Sequence, residues 1–120
     1  MAHKIVKRGS IVLIRYPFTD LTNSRIRPAL ILTPDEFLNK INDVLCLFIS
    51  SQEPLELLKT DYVLEISHPL FPLTGLKFQS VFRTHKLALL QKALVTRVLG
   101  ELGGDLMLEI NKRLKIALGL

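Results

Sequence analysis

The stretch "DVLCLFIS", residues 43 to 50, is nearly continuous apolar sequence of strand length. A strand with one wet face alternates polar and apolar residues, whereas a strand apolar at successive positions is covered on both faces. The run therefore predicts the central strand of a sheet, whose flanking strands must come from the rest of a 120-residue chain. Those flanks are legible. "SIVLIRY" (10 to 16) lies between Gly9 and Pro17, and "PALILT" (28 to 33) opens on a proline, which suits a strand's first residue. "DYVLEI" (61 to 66) alternates as a half-buried strand, and "SVFRTHKLALL" (80 to 90) and "ALVTRVLGEL" (93 to 102) supply two more.

The connections carry turn chemistry. "FTDLTNS" (18 to 24) is a polar turn, "PDEFLNKIN" (34 to 42) suits one or two helical turns, "SQEPLELLKT" (51 to 60) is a loop or short helix, and "SHPLFPLTGLK" (67 to 77) is a long loop. In "GDLMLEINKRLKIALGL" the period changes to helical, with Leu106, Ile110, Leu114, Ala117 and Leu118 on one face. Short strands ended by one amphipathic helix predict a β-rich α+β fold, a small barrel or half-barrel capped by a helix, formed by residues 1–120 as one domain.

Charge is distributed in blocks. Residues 1 to 27 hold six Lys/Arg against Asp20 alone, residues 28 to 76 hold two against seven acids, and residues 77 to 120 hold eight against three. The formal net charge is +5. If the two basic thirds share a face, that face is a groove suited to a polyanion; ordinary solvated lysine accounts for the same numbers. The lone Cys46 excludes a disulfide framework or a cysteine-built metal site within one chain and fits a reducing cytoplasm. No apolar run is long enough to cross a bilayer, and the N-terminus lacks a signal-peptide core.

Glycine-rich phosphate loops and His-Glu-x-x-His helices are missing, and His3, His68 and His85 are scattered. Polar residues at strand ends remain: Arg27 before strand two, Ser50 ending the central strand, and Arg83 with His85 two residues apart on one strand face. A cation beside an imidazole suits phosphodiester chemistry, in which a proton moves and charge grows on phosphoryl oxygens. Structural readings stand beside this one: a solvated strand face for Arg83 and His85, a local backbone bond for Ser50, an Arg27–Asp20 ion pair.

Taken together, "VKRGSIVLIRYPFTDLTNSRIRPALIL", "DVLCLFISSQ", "TGLKFQSVFRTHKL" and "EINKRLKIALGL" resemble the PemK/MazF family of toxin endoribonucleases. The ordered set of Lys-Arg-Gly, Pro-Phe-Thr-Asp and Arg-Pro-Ala-Leu is its most specific part. The resemblance implies an SH3-like barrel, a homodimer, and sequence-specific cleavage of single-stranded RNA with neither metal nor cofactor. It also implies a cytoplasmic toxin held by a cognate acidic antitoxin. By position it implies catalytic roles for Arg27, Ser50, Arg83 and His85, with Arg25, Lys77 and Lys86 as further RNA contacts. His85 stands where an acid is usual in the PemK-like branch, and Ser10 replaces the acid that commonly follows Lys-Arg-Gly. A neutral imidazole can accept the ribose 2′-hydroxyl proton. The alternative is a non-catalytic barrel that binds RNA or an acidic peptide through the same groove.

Overall fold

The computed structural model describes residues 6–16 and 25–120. Six strands, β1 (Ser10–Tyr16), β2 (Arg25–Ile31), β3 (Asp43–Ser50), β4 (Asp61–Leu64), β5 (Ser80–Gln91) and β6 (Val95–Glu101), form one antiparallel sheet in the order β4-β5-β3-β2-β1-β6. The apolar run 43–50 is β3, in the sheet interior between β5 and β2.

Its hydrophobicity has the anticipated cause except at Leu45, which is exposed. Ile11, Leu30, Leu47, Ile49 and Phe82 belong to one core cluster, while Val12, Ile14, Ala29, Ile31, Val44 and Cys46 belong to a second. Neighbours in sequence therefore point to opposite faces and are buried on both. The second cluster takes Leu38 from the single helical turn α1 (Asp35–Leu38). Helix α2 (Gly104–Leu118) lays Leu106 and Ile110 on the first cluster. Leu64 of edge strand β4 and Leu102 just after edge strand β6 join that same cluster, so the sheet curls until its two edges share a core closed by α2. The β-rich α+β reading with a C-terminal helix holds.

Arg113 ties α2 to β4. Its Nε donates to the Asp61 carbonyl at 3.0 Å, its Nη1 donates to Glu109, and its guanidinium lies 4.8 Å from the Tyr62 ring centroid.

Some boundaries differ from the sequence reading. Strand two starts at Arg25 and carries Pro28 in its interior, so Arg27 sits within the strand opposite Ile14 instead of preceding it. A proline is tolerated there because β2 bonds β3 only from Ala29 onward, leaving Pro28 where its missing N–H is not needed. The last turn of α2 carries no buried residue, and Leu118, expected on the core face, is 57% exposed. The 67–77 segment contains a 3-10 turn at Phe71–Thr74. Residues 17–24, including Pro-Phe-Thr-Asp and the suggested Asp20 partner of Arg27, lie outside the described residues. Among the described residues no helix is long and apolar enough to cross a membrane.

Candidate nucleic-acid interface

Pro28 also marks the point at which the sheet opens. The last β2–β3 pair on this side is Ala29 with Phe48; beyond it β3 keeps only β5, pairing Ile49 with Phe82 and Ser50 with Val81, while Arg25–Pro28 continue against β1 alone. Between the diverging strands lies a cleft of about 820 Å³, bounded by residues 25–28, residues 49–52 and the segment Gly75–Phe78, with Leu13, Arg97 and Leu99 also lining it. A donor-less residue in β2 thus stands at the opening of the site.

The cleft wall carries Arg25, Arg27, Lys77 and Arg97 and, among the described residues, no aspartate or glutamate. Arg25 and Arg27 come from the N-terminal basic third and Lys77 and Arg97 from the C-terminal one, so the two basic segments share a surface. Several other cations are occupied elsewhere: Lys7 pairs with Glu101, Arg83 with Asp61, and Lys112 and Arg113 with Glu109. The Nε of Arg27 is fully buried. Ser50 lines the cleft with a hydroxyl that accepts the Gln52 N–H at 3.0 Å and donates to the Gln52 carbonyl at 3.1 Å, the local backbone bonding named as its structural reading.

The third wall is rigidly held. Gly75 adopts φ 72°, and a Cβ there would lie 2.3 Å from the Leu99 carbonyl oxygen; a Cβ on Gly100 would meet the Leu73 carbonyl oxygen at the same distance. Only glycine permits backbones this close. The buried Thr74 hydroxyl donates to the Phe71 carbonyl and accepts the Leu76 N–H, and the Ser80 hydroxyl donates to the Phe78 carbonyl.

Arg83, His85 and Lys86 are elsewhere. Between the β3 pairs Leu47–Leu87 and Ile49–Phe82 the register shifts, so residues 83–86 of β5 have no β3 partner, while Arg83 pairs with Asp61 of β4. Alternation places Thr84 inside, its N–H and hydroxyl both donating to the Thr60 carbonyl, with Arg83 and His85 against Asp61 and Thr60. Arg83 binds the Asp61 carboxylate through Nε at 2.8 Å and Nη2 at 3.2 Å, and the Leu58 N–H adds a third bond. Burial pushes the Asp61 carboxyl upward, but the Arg83 and Leu58 bonds, with the nearby Arg83 and His85 charges, hold it below its ordinary range overall. His85 Nδ1 lies 2.9 Å from Thr60 Oγ1. None of the three lines the cleft. The structure brings together Arg25, Arg27, Ser50 and Lys77 and leaves Arg83, His85 and Lys86 outside.

Arg97 is the site residue that sequence reasoning missed. Its signal is an arginine in the middle of an otherwise apolar strand, "VTRVL", but only the β1–β6 register, Leu13 opposite Arg97, turns it to the cleft.

The family model for the PemK-like, MazF-like toxin of type II toxin–antitoxin systems matches residues 7–118. The chain belongs to that family. Solved structures agree in fold. An endoribonuclease in complex with its cognate antitoxin from a Mycobacterial species is 22% identical with a TM-score of 0.74, covering 97% of both chains. The MazE–MazF complex (Form-II) of Deinococcus radiodurans is 18% identical with a TM-score of 0.77, covering 98% of this chain and 99% of that one. A further structure, of an endoribonuclease from a Mycobacterial species, is 22% identical with a TM-score of 0.72, covering 96% of this chain and 92% of that one. No curated protein sequence matches the chain. Across the PemK/MazF-like span, the Lys7-Arg8-Gly9 turn, β2 with its Arg-Pro and α2 all fall within the matched residues.

Proposed function

We propose that this PemK/MazF-like toxin is an endoribonuclease that cuts single-stranded RNA without a metal ion, in the cytoplasm, and is silenced by an acidic antitoxin seated in the same cleft. The supporting observation is the cleft itself, with four cations, no described acid, and Arg27 across from Ser50 where the strands part. In the reaction a ribose 2′-oxygen forms a bond to the adjacent phosphorus, the bond to the 5′-oxygen breaks, the 2′-proton is lost and the departing 5′-oxygen gains one. The products are a 2′,3′-cyclic phosphate and a 5′-hydroxyl.

Charge accumulates on the phosphoryl oxygens, and guanidinium groups fixed near that charge lower the barrier. Arg27 serves that role, Ser50 orients a phosphoryl oxygen, and Arg25, Lys77 and Arg97 hold the flanking phosphates. Arg83 is reassigned from catalysis to the Asp61 pair, and Lys86 is not a cleft contact. Proton transfer by His85 loses support because its ring engages Thr60 instead of lining the cleft.

A second reading has its own observation. Among the described cleft residues there is no carboxylate or imidazole to accept the 2′-proton, which favours a barrel that binds RNA or an acidic peptide without cutting. An RNA panel incubated with protein and excess chelator distinguishes the two: fragments ending in 2′,3′-cyclic phosphate support the enzyme, and intact but bound RNA supports the binder. His85→Ala cleaves like wild type if His85 is a bystander and loses cleavage at unchanged affinity if it carries the proton. The active species is a symmetric homodimer. Light scattering that finds a cleaving monomer removes the dimer from the proposal.

A further inference from the structure

Among the described residues that line the cleft, one carries an aromatic ring, and phosphate binding does not use it. Phe78, on the loop before β5, is 64% exposed and lies beside Lys77 on the cleft wall. Covering an exposed aromatic ring is favourable, and Phe78 shares its concave site with Ile26, itself 52% exposed. Phe78 is not displayed by a loose segment. Gly75 is locked against Leu99, Thr74 bonds on both sides of the turn, and the Ser80 hydroxyl holds the Phe78 carbonyl at 2.8 Å, so the backbone beneath the ring is fixed from both ends.

We infer that Phe78 is a stacking platform for one unstacked nucleobase of single-stranded RNA, with Lys77 and Arg97 engaging the phosphates on either side. The inference rests on the RNA-binding reading of the cleft and adds where a base is held. Charge decides between occupants of the ring. An apolar peptide side chain would also cover Phe78, but the surrounding wall carries four cations and no described acid, which selects a polyanion that presents flat apolar faces along its length. Single-stranded RNA is such a polymer: bases stack on aromatic rings while lysine and arginine track the backbone. Ring stacking tolerates any base, so Phe78 contributes affinity and positions the strand relative to Arg27.

The chain contains no tryptophan, so Phe78→Trp places a single tryptophan at the platform, excited selectively over the two tyrosines. Titration of this variant with a short single-stranded RNA should quench its emission, and an abasic ribose-phosphate oligomer of equal length should bind with little quenching. Phe78→Ala should lower affinity for RNA roughly five- to 150-fold, the effect of losing one stacked base, and leave affinity for the abasic oligomer within about two-fold. Circular dichroism melts should match wild type, since the exposed ring packs in no core cluster. If wild type binds RNA but Phe78→Trp is not quenched and Phe78→Ala binds equally well, the platform is wrong while the RNA reading survives. The platform is also overturned if Phe78→Ala weakens self-association or binding of an acidic peptide and leaves RNA affinity untouched. If wild type binds neither RNA nor the abasic oligomer, the RNA reading fails and the platform falls with it.

Discussion

Arg83→Met separates a structural arginine from a catalytic one. The Asp61 side chain has no exposed surface and the Arg83 side chain is 20% exposed, so the carboxylate is shielded from solvent and the guanidinium largely so. Removing one partner of a buried pair costs about 3–5 kcal/mol because the remaining charge stays desolvated. Asp61 keeps the Leu58 N–H, which places the expected loss near the lower end, about 3 kcal/mol. With a guanidinium m-value of about 3–4 kcal/mol/M, the unfolding midpoint followed by circular dichroism should fall by about 0.8–1 M. Arg83→Met combined with Asp61→Leu should regain most of that loss, because no charge is left stranded.

The pH dependence supplies a second readout. In the wild type the Asp61 carboxyl titrates below its unfolded value, so the stability it contributes is present above the ordinary carboxylate pKa and disappears as pH falls through the folded value. Without Arg83, only the Leu58 bond and the His85 charge oppose burial, so the carboxyl titrates higher than in the wild type. The wild type then loses more stability than the variant as pH falls, so the stability gap between them should narrow under mild acid. A variant with the wild-type midpoint at neutral pH would refute the argument. If it also lost RNA cleavage, Arg83 would act on substrate as the family resemblance implies.

Other expectations follow from the same geometry. Arg27→Ala should reduce cleavage by at least about ten-fold more than it reduces RNA affinity, measured by single-turnover rates beside equilibrium binding, because charge stabilised only in the transition state affects rate beyond ground-state binding. RNA affinity should fall steeply with added salt, and Arg97→Gln should flatten the log–log slope by roughly 0.7, one phosphate contact on a single strand; an unchanged slope would take Arg97 out of the interface. Cys46, fully buried with its thiol pushed up to about 11 by desolvation, should resist alkylation at pH 8 in the native state and react on unfolding, and fast native labelling would contradict its place in the core.

The run 43–50 could be read as an interior strand without coordinates, because a strand covered on both faces leaves a mark at every position. The spacing of Leu106 and Ile110 disclosed the helix face for the same local reason. The Arg25 and Arg27 segment, the Ser50 strand end and the basic thirds were also legible as candidates, since residue type and strand order are written in the chain. Which candidates meet was not. Arg83 and His85 share a strand face as periodicity requires, yet a register shift in β5 at residues 83–86 leaves them beside Asp61 and Thr60, and such a shift is set by which partner strand continues to pair. Arg97 reached the cleft through a register two strands away from Arg27, and Pro28 stands in β2 where β3 departs. Local periodicity determines which way a side chain faces its own strand. Only non-local pairing determines what lies opposite.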